Sequence, residues 1–334
     1  MKTKSVFFSS LLFTGSILFA QMPGMMTMQS SAPQGTTLGA NTTSGAAGIA
    51  LGNRVVMRGF VDFRFNHKDN DSIDTEDFTT SADVDFLFDF SPVTGEIHLN
   101  AHSKGVDLEQ AFGRYAINRD FNISFGRQLT ALGYEPDEQP ALLSVSKAYL
   151  WGLGRNYVDG VRANFNNGRF GFSIGAHDSY FNNTPDNLDN QNMAIDVAAS
   201  LMIIPGLEAR LGYAEQHEKD EDDLSQFNAW IAYNPGDLTL AFEYDNAEKK
   251  SVDYWSMLFL ANYQFNEMFA ATFKYSHEDE EVGGGDKEAD RFTFALLFTI
   301  TQNLFFNVEY SHSEVDAASD YDVEEFYLEA LLTF

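Results

Sequence analysis

The sequence predicts an all-β protein, a 16-stranded antiparallel transmembrane β-barrel with short periplasmic turns and long extracellular loops. Three observations predict it. Residues alternate apolar and polar with period two from Arg54 onward, short turn signals alternate strictly with longer polar segments, and the last strand ends on an aromatic residue, Phe334.

Composition narrows the field. Of 334 residues, 49 are Asp or Glu and 21 are Lys or Arg, the formal net charge is -28, and there is no Cys. Absence of cysteine excludes disulfide scaffolds, thiolate metal centres and thiol nucleophiles. The acidic excess argues against a nucleic-acid partner, which needs a basic groove to displace counterions. A hydrophobic content of 44% with 14% aromatics excludes a disordered acidic tail.

Residues 1–20 read as a signal peptide, with Lys2 and Lys4 ahead of an apolar stretch that ends on Ala20. Removing them would take the charge to about -30. Residues 21–53 are rich in Gly, Ser, Thr and Met without periodicity, and read as a flexible periplasmic leader. Residues 54–334 are the expected barrel.

In its first strand Met57, Gly59, Val61, Phe63 and Phe65 share one face, and Arg58, Phe60, Asp62, Arg64 and Asn66 the other. The second sets Ala82, Val84, Phe86, Phe88 and Phe90 against Asp83, Asp85, Leu87 and Asp89. Near the end Phe292, Phe294, Leu296, Phe298 and Ile300 make a continuous apolar row. The facing of the fourth strand (107–117) and of the sixth is ambiguous.

A soluble sandwich would alternate likewise. Connections separate the two. Short turn signals stand at 91–94, 118–120, 166–168, 205–206, 234–237, 266–267 and 301–303. Longer polar connections are expected at 67–79, 102–106, 128–157, 182–192, 215–224, 246–251, 277–289 and 313–323. Seven short against eight long connections give sixteen strands.

Aromatics sort by strand end. Phe90, Phe121, Phe165, Phe170, Phe265, Phe269 and Phe334 fall at the short-turn end, and Tyr180, Tyr213, Tyr244, Tyr254, Tyr275 and Tyr310 near the other. Two interfacial rings are the expectation. In the last strand Phe326, Leu328, Ala330, Leu332 and Phe334 are apolar at every second position, which resembles the terminal signal read by the barrel-assembly machinery.

Sixteen strands leave room for an aqueous channel. The inward face supplies candidate pore-lining residues: Arg58, Asp62, Arg64, Asp83, Asp85, His98, Arg162, Arg210, Glu243, Lys274 and Glu309. The longest connection, 128–157, clusters Tyr134, Glu135, Asp137 and Glu138 in "LGYEPDEQP" and carries Lys147 further on. General porins fold a loop inward at the corresponding place, so by resemblance this is the candidate constriction. Opposite it, Arg58, Arg64 and Arg162 would form a basic patch across a transverse field, or would pair with Asp62, Asp83 or Asp85 on neighbouring strands.

Residues 54–334 resemble the OmpL-like β-barrel porin family. Gly126-Arg127, Leu132-Gly133-Tyr134-Glu135, Ser146-Lys147-Ala148-Tyr149-Leu150 and Asp159-Gly160-Val161-Arg162-Ala163 carry the resemblance. It implies an outer-membrane channel of a Gram-negative bacterium for passive diffusion of small hydrophilic solutes and ions. The wider porin class implies a homotrimer. Expected partners are outer-membrane lipid, lipopolysaccharide bridged through divalent cations, and the assembly machinery.

Acidic segments at 67–79, 215–224 and 277–289 should draw cations to the outer mouth and give mild cation selectivity. None has the spacing of a dedicated calcium loop, so the sequence assigns no metal and no cofactor. Nor does it assign an enzyme: Ser276-His277 and Ser311-His312 are adjacent on strands, so each pair points apart. His98 and His102 share a face without a matching serine or carboxylate constellation. A non-conducting barrel that presents its loops as adhesin, receptor or anchor is the alternative.

Overall fold

Strands in lipid leave no backbone group without a partner only if their sheet has no free edge. In the computed structural model, which describes residues 48–70, 73–151, 156–181, 193–217, 224–249, 252–282 and 285–334, the sheet closes. The expected signal peptide and residues 21–47 of the expected leader lie outside the described residues. A two-residue ladder, β1 (Ile49–Ala50), folds back on β2 (Val55–Asn70), pairing Ile49 with Met57 and Ala50 with Val56. There follow β3 (Ile73–Phe90), β4 (Val93–His102), β5 (Gly105–Ala116), β6 (Phe121–Leu129), β7 (Tyr157–Asn166), β8 (Phe170–His177), β9 (Met193–Ile204) and β10 (Leu207–His217). The second half holds β11 (Leu224–Tyr233), β12 (Leu238–Lys249), β13 (Val252–Asn266), β14 (Phe269–Val282), β15 (Gly285–Thr299), β16 (Leu304–Asp316) and β17 (Tyr321–Thr333).

From β2 to β17 each strand pairs antiparallel with its predecessor, and β17 returns to β2, from Val323 opposite Asn70 to Thr333 opposite Phe60. The closed 16-stranded antiparallel barrel is therefore as expected. The seam ends on Phe334, whose N–H donates to the Gly59 carbonyl and whose carbonyl accepts from the Gly59 N–H, both at 3.0 Å. A Cβ on Gly59 would stand 2.1 Å from the Asp83 carbonyl and 2.8 Å from Phe334 Cζ, so the seam requires glycine there.

All seven short turns form where expected, built by side chains that take the freed backbone donors. Asn118 Oδ1 accepts from the N–H groups of Asp120 and Phe121, Asn167 Oδ1 from those of Arg169 and Phe170, and Thr301 Oγ1 from those of Asn303 and Leu304. Gly206, at φ +83°, supplies the left-handed residue after Pro205.

The long connections differ from expectation. Much of 67–79, 246–251, 277–289 and 313–323 is strand: β2 and β3 stay paired out to Asn70 opposite Ile73, and β14 and β15 to Val282 opposite Gly285. Both faces of a hairpin that projects beyond the bilayer are wet, so the apolar row vanishes while the ladder continues. Polarity on both faces therefore resembles loop when read from sequence alone.

The ambiguous facing of β5 has a cause. Register with β4 slips between His98 opposite Gln110 and Leu99 opposite Leu108, which leaves Glu109 as the extra residue of a bulge. Val106 and Leu108 are exposed on the outside, whereas Gln110, Phe112 and Arg114 are buried on the inside. One inserted residue inverts the phase of the whole strand. In β7 no such slip occurs, and Val158, Arg162 and Asn164 face inward.

Of the phenylalanines expected at the short-turn end, Phe265 and Phe269 lie 5.2 Å apart between centroids, and Phe298 continues the contact at 5.2 Å from Phe269. The tyrosine ring needs correction. Tyr213, Tyr244, Tyr275 and Tyr310 face outward, and Trp255 joins them between Tyr244 and His277. Tyr180 and Tyr254 are buried inside. Tyr254 lies on the inward phase of β13, where its hydroxyl donates to Glu278 at 2.9 Å, and Tyr180 belongs to a connection tucked against β10.

Candidate pore and its inward loop

All eleven expected pore-lining residues lie on the inner face, because strand phase is fixed locally by which neighbours meet lipid. Asp62, Asp83, Asp85, His98, Arg162, Arg210, Glu243, Lys274 and Glu309 are buried there, and Arg58 and Arg64 half-buried. They are not a free lining. Arg64 pairs with Asp62 and, at 3.3 Å, with Glu329; Arg162 pairs with Asp196 at 2.8 Å; and His98 sits between Asp85 at 2.9 Å and Glu96 at 3.2 Å.

The connection between β6 and β7 runs over 130–156 rather than 128–157, because Gln128, Leu129 and Tyr157 are strand, and its described residues 130–151 and 156 pack against the inner wall. A short 3-10 turn, Gln139–Ala141, follows Glu138. Two kinds of wall residue hold it. Wall carboxylates accept its backbone N–H groups: Glu243 from Tyr134 at 2.5 Å, Glu309 from Val145 at 2.6 Å, and Glu278 from Leu150 at 2.5 Å and Trp151 at 3.0 Å. Wall cations donate to its carbonyls, Arg210 to Ala131 at 2.7 Å and Lys274 to Ser146 at 2.6 Å, while Arg162 donates to the Leu129 carbonyl at the end of β6 at 2.9 Å. A buried backbone group left without such a partner would cost about 1–3 kcal/mol.

Apolar contacts, which the sequence reading missed, dock the same loop. Trp230, Ala232, Ala241, Leu258 and Leu260 make an apolar patch on the inner wall of β11 to β13, covered by Tyr134 and Ala148. The Tyr134 ring meets Trp230 edge-on at 5.6 Å. On β9 and β10 the inner positions Ala194, Ala198, Gly212 and Ala214 are small, and Leu132 sits over Gly212, where a Cβ would lie 2.8 Å from its Cγ. Apolar or tiny residues at inward positions of a polar wall were the available signal.

The expected field across the bore is corrected by these contacts. Glu135 pairs with Lys274 at 3.0 Å and accepts from the Ala148 N–H at 2.7 Å, while Asp137 pairs with Lys147 and with the Tyr157 hydroxyl. Arg64 pairs instead with Asp62, the alternative that the sequence offered, and with Glu329, and Arg162 with Asp196. Among the charged residues described in the loop, Lys147 is the most exposed, at 44%. Glu138 turns instead to Asp83 and Glu109, whose ligand oxygens all lie within 4.8 Å of one another. Burial, then the adjacent Glu109 and Asp85, hold the Glu138 carboxyl well above its ordinary range, and His98 offsets this in part.

The adjacent Ser–His pairs do point apart. The Ser276 hydroxyl is buried and donates to the Ala148 carbonyl at 2.6 Å, whereas His277 faces outward against Trp255 and Asp290.

A sequence model of the family described as "Putative beta-barrel porin-2, OmpL-like" matches residues 89–327. The chain belongs to that family. Solved structures share the fold. The outer membrane channel DcaP of Acinetobacter baumannii superposes at a TM-score of 0.66 with 13% identity over 86% of this chain and 100% of its own. Salmonella typhi OmpF gives 0.66 with 13% identity over 85% and 98%. An anion-selective porin from Comamonas acidovorans gives 0.63 with 13% identity over 84% and 99%. No curated protein matches in sequence. Family and fold place this OmpL-like barrel in the outer membrane as a porin-type channel.

Two of the sequence motifs now have a structural reading in this OmpL-like barrel. Gly126 stands opposite Gly160 across β6 and β7, and next to them Arg127 pairs with Asp159 at 3.0 Å. A Cβ on Gly160 would lie 2.2 Å from the Ala176 carbonyl and 2.5 Å from His177 Nδ1. The strands that carry the loop thus approach their neighbours as only glycine permits.

Proposed function

We propose that this OmpL-like barrel carries small hydrophilic solutes and ions passively across the outer membrane, through a bore narrowed by the loop at 130–156, with mild preference for cations. The observation that carries the reading is the loop itself, held inside a 16-stranded barrel by Glu243, Lys274, Glu278 and Glu309. Acidic residues such as Glu280, Glu281 and Asp286 at the outer rim favour cation entry. The fold leaves the sign of selectivity open, since one porin of similar architecture is anion-selective. Recording from the refolded protein in planar bilayers under a salt gradient tests both points. Steady ion current with a reversal potential on the cation side supports the reading, and chloride preference rejects the selectivity. A homotrimer belongs to the same proposal and is checked by the mass of the detergent-solubilised protein.

One observation favours a second reading. Ser256, Thr272, Thr293, Ser311 and Ser313, on the inner wall, are each no more than 1% exposed. A lumen this closely filled suits a barrel that is shut at rest and presents its outer hairpins as receptor or anchor. A folded protein that never opens across the voltage range would favour it.

A further inference from the structure

Inside the barrel, on the wall away from the main loop anchors, carboxylates from three separate elements converge. Asp83 lies on β3, Glu109 on β5 and Glu138 on the inward loop, and one oxygen from each falls within 4.8 Å of the others. Each is there for a stated reason. Asp83 follows the inward phase of its strand, the bulge re-aims Glu109, and Glu138 precedes the 3-10 turn that carries the loop across the lumen.

His98 is the nearest cationic group, and it does not neutralise the three carboxylates. Asp83 is 1% exposed, yet neither of its carboxylate oxygens has a hydrogen-bond partner. Glu138, 8% exposed, leaves Oε1 without one. Glu109 accepts from the Asn100 amide at 3.0 Å through Oε1 and leaves Oε2 without one. Among the described residues no lysine or arginine pairs with any of the three. The His98 ring comes within 4.0 Å of Glu138 but is already engaged by Asp85 and Glu96, and Arg114 lies 3.5 Å from Glu96. Buried carboxylates with idle oxygens are stable only when protonated or when a cation lies between them.

We propose that Asp83, Glu109 and Glu138 hold one divalent cation of the calcium class, which fastens the inward loop to the inner wall at β3 and β5. The donors are all oxygen, the chemistry of hard cations. Calcium accepts irregular shells of oxygens at about 2.3–2.6 Å, which suits three carboxylates from separate elements whose oxygens all lie within 4.8 Å of one another. Magnesium demands near-ideal octahedral geometry at about 2.0–2.1 Å and gives up its waters reluctantly, so a site built of protein carboxylates favours calcium. The Asn100 amide, bonded to Glu109, orients that ligand from behind.

The test is calorimetric titration of CaCl₂ into the refolded full-length barrel, stripped with chelator, at neutral pH. High NaCl screens the exposed acidic hairpins. One saturable equivalent is expected, weakened at least tenfold in Asp83→Asn and in Glu138→Gln and unchanged in the outer-rim variant Glu280→Gln/Glu281→Gln. MgCl₂ should bind at least tenfold more weakly at this site. Variants are compared only where the heat-dependent gel shift shows a folded barrel, and Glu138→Gln, on the loop, keeps the strands intact if Asp83→Asn does not fold. Equal affinity in Glu138→Gln and the unaltered protein, or heat that follows the outer-rim variant alone, would overturn the site. The measurement reads binding without current, so its failure is distinct from a failure of conduction.

Discussion

Glu309 shows what a single wall carboxylate does. Its oxygens accept from the N–H groups of Val145 and Ser146 and from the Ser146 hydroxyl, and Lys147 follows at once. Charge-assisted bonds contribute about 1.5–3 kcal/mol each. Replacing Glu309 by Ala removes all of these bonds and should therefore raise the fraction of loop that is undocked by at least about tenfold, and trypsin cleavage after Lys147 should accelerate in proportion because proteolysis follows the open population. Unchanged cleavage would mean that the apolar contacts alone hold the loop. At the seam, Gly59→Ala would drive a methyl toward the Asp83 carbonyl and the Phe334 ring. Its folded barrel should lose the heat-resistant gel mobility at a lower temperature than the unaltered protein. Alternation revealed that Glu243, Lys274 and Glu309 face inward, since facing is a local property. Their partners stand 109, 128 and 164 residues away in sequence, and no local pattern announces them.

Elements differ in how much of them the sequence displays. The short turns were legible because Asn118, Asn167 and Thr301 build them with their own side chains. Outer hairpins were read as loops because a ladder in water lacks the apolar row, and the phase of β5 was hidden by one bulge residue. The inward loop was visible in its length, but its berth was not, although Trp230, Leu258 and Leu260 break a polar face. Trp230→Ala should cost the docked state about 3–5 kcal/mol, as large aromatic truncations do, while β10 to β13 remain paired. Single-channel records should then show larger and noisier current, with amide exchange in the strands unaltered. Neutralising Glu280, Glu281, Asp286 and Glu288, which project at the tips of β14 and β15, should move the reversal potential toward zero. The shift should shrink as salt rises, since exposed charges are screened beyond about 8 Å at 0.15 M. A reversal potential that ignores these four substitutions would place selectivity at the inner wall instead.

For the whole molecule, the balance between barrel and loop should depend on pH through the acidic group on the inner wall. Burial, then Glu109 and Asp85, raise the Glu138 carboxyl well above its usual range, while His98 works against them. An acid whose folded value is raised binds protons more tightly in the docked state than in the released one. Docking is then most stable below the ordinary carboxylate range near 4.5 and weakens as pH climbs through the raised value. With chelator present, release of the loop, followed by cleavage after Lys147, should need a higher temperature at pH 5 than at pH 8. Glu138→Gln should flatten that dependence, because the amide carries no proton to lose. Calcium should do likewise at pH 8 by supplying the positive charge that the proton supplies at pH 5, so the two ligands exclude one another. Docking that instead tightened from pH 5 to pH 8 in chelator would show that Glu138 is ionised in place, and that a counter-charge other than a proton or metal serves it.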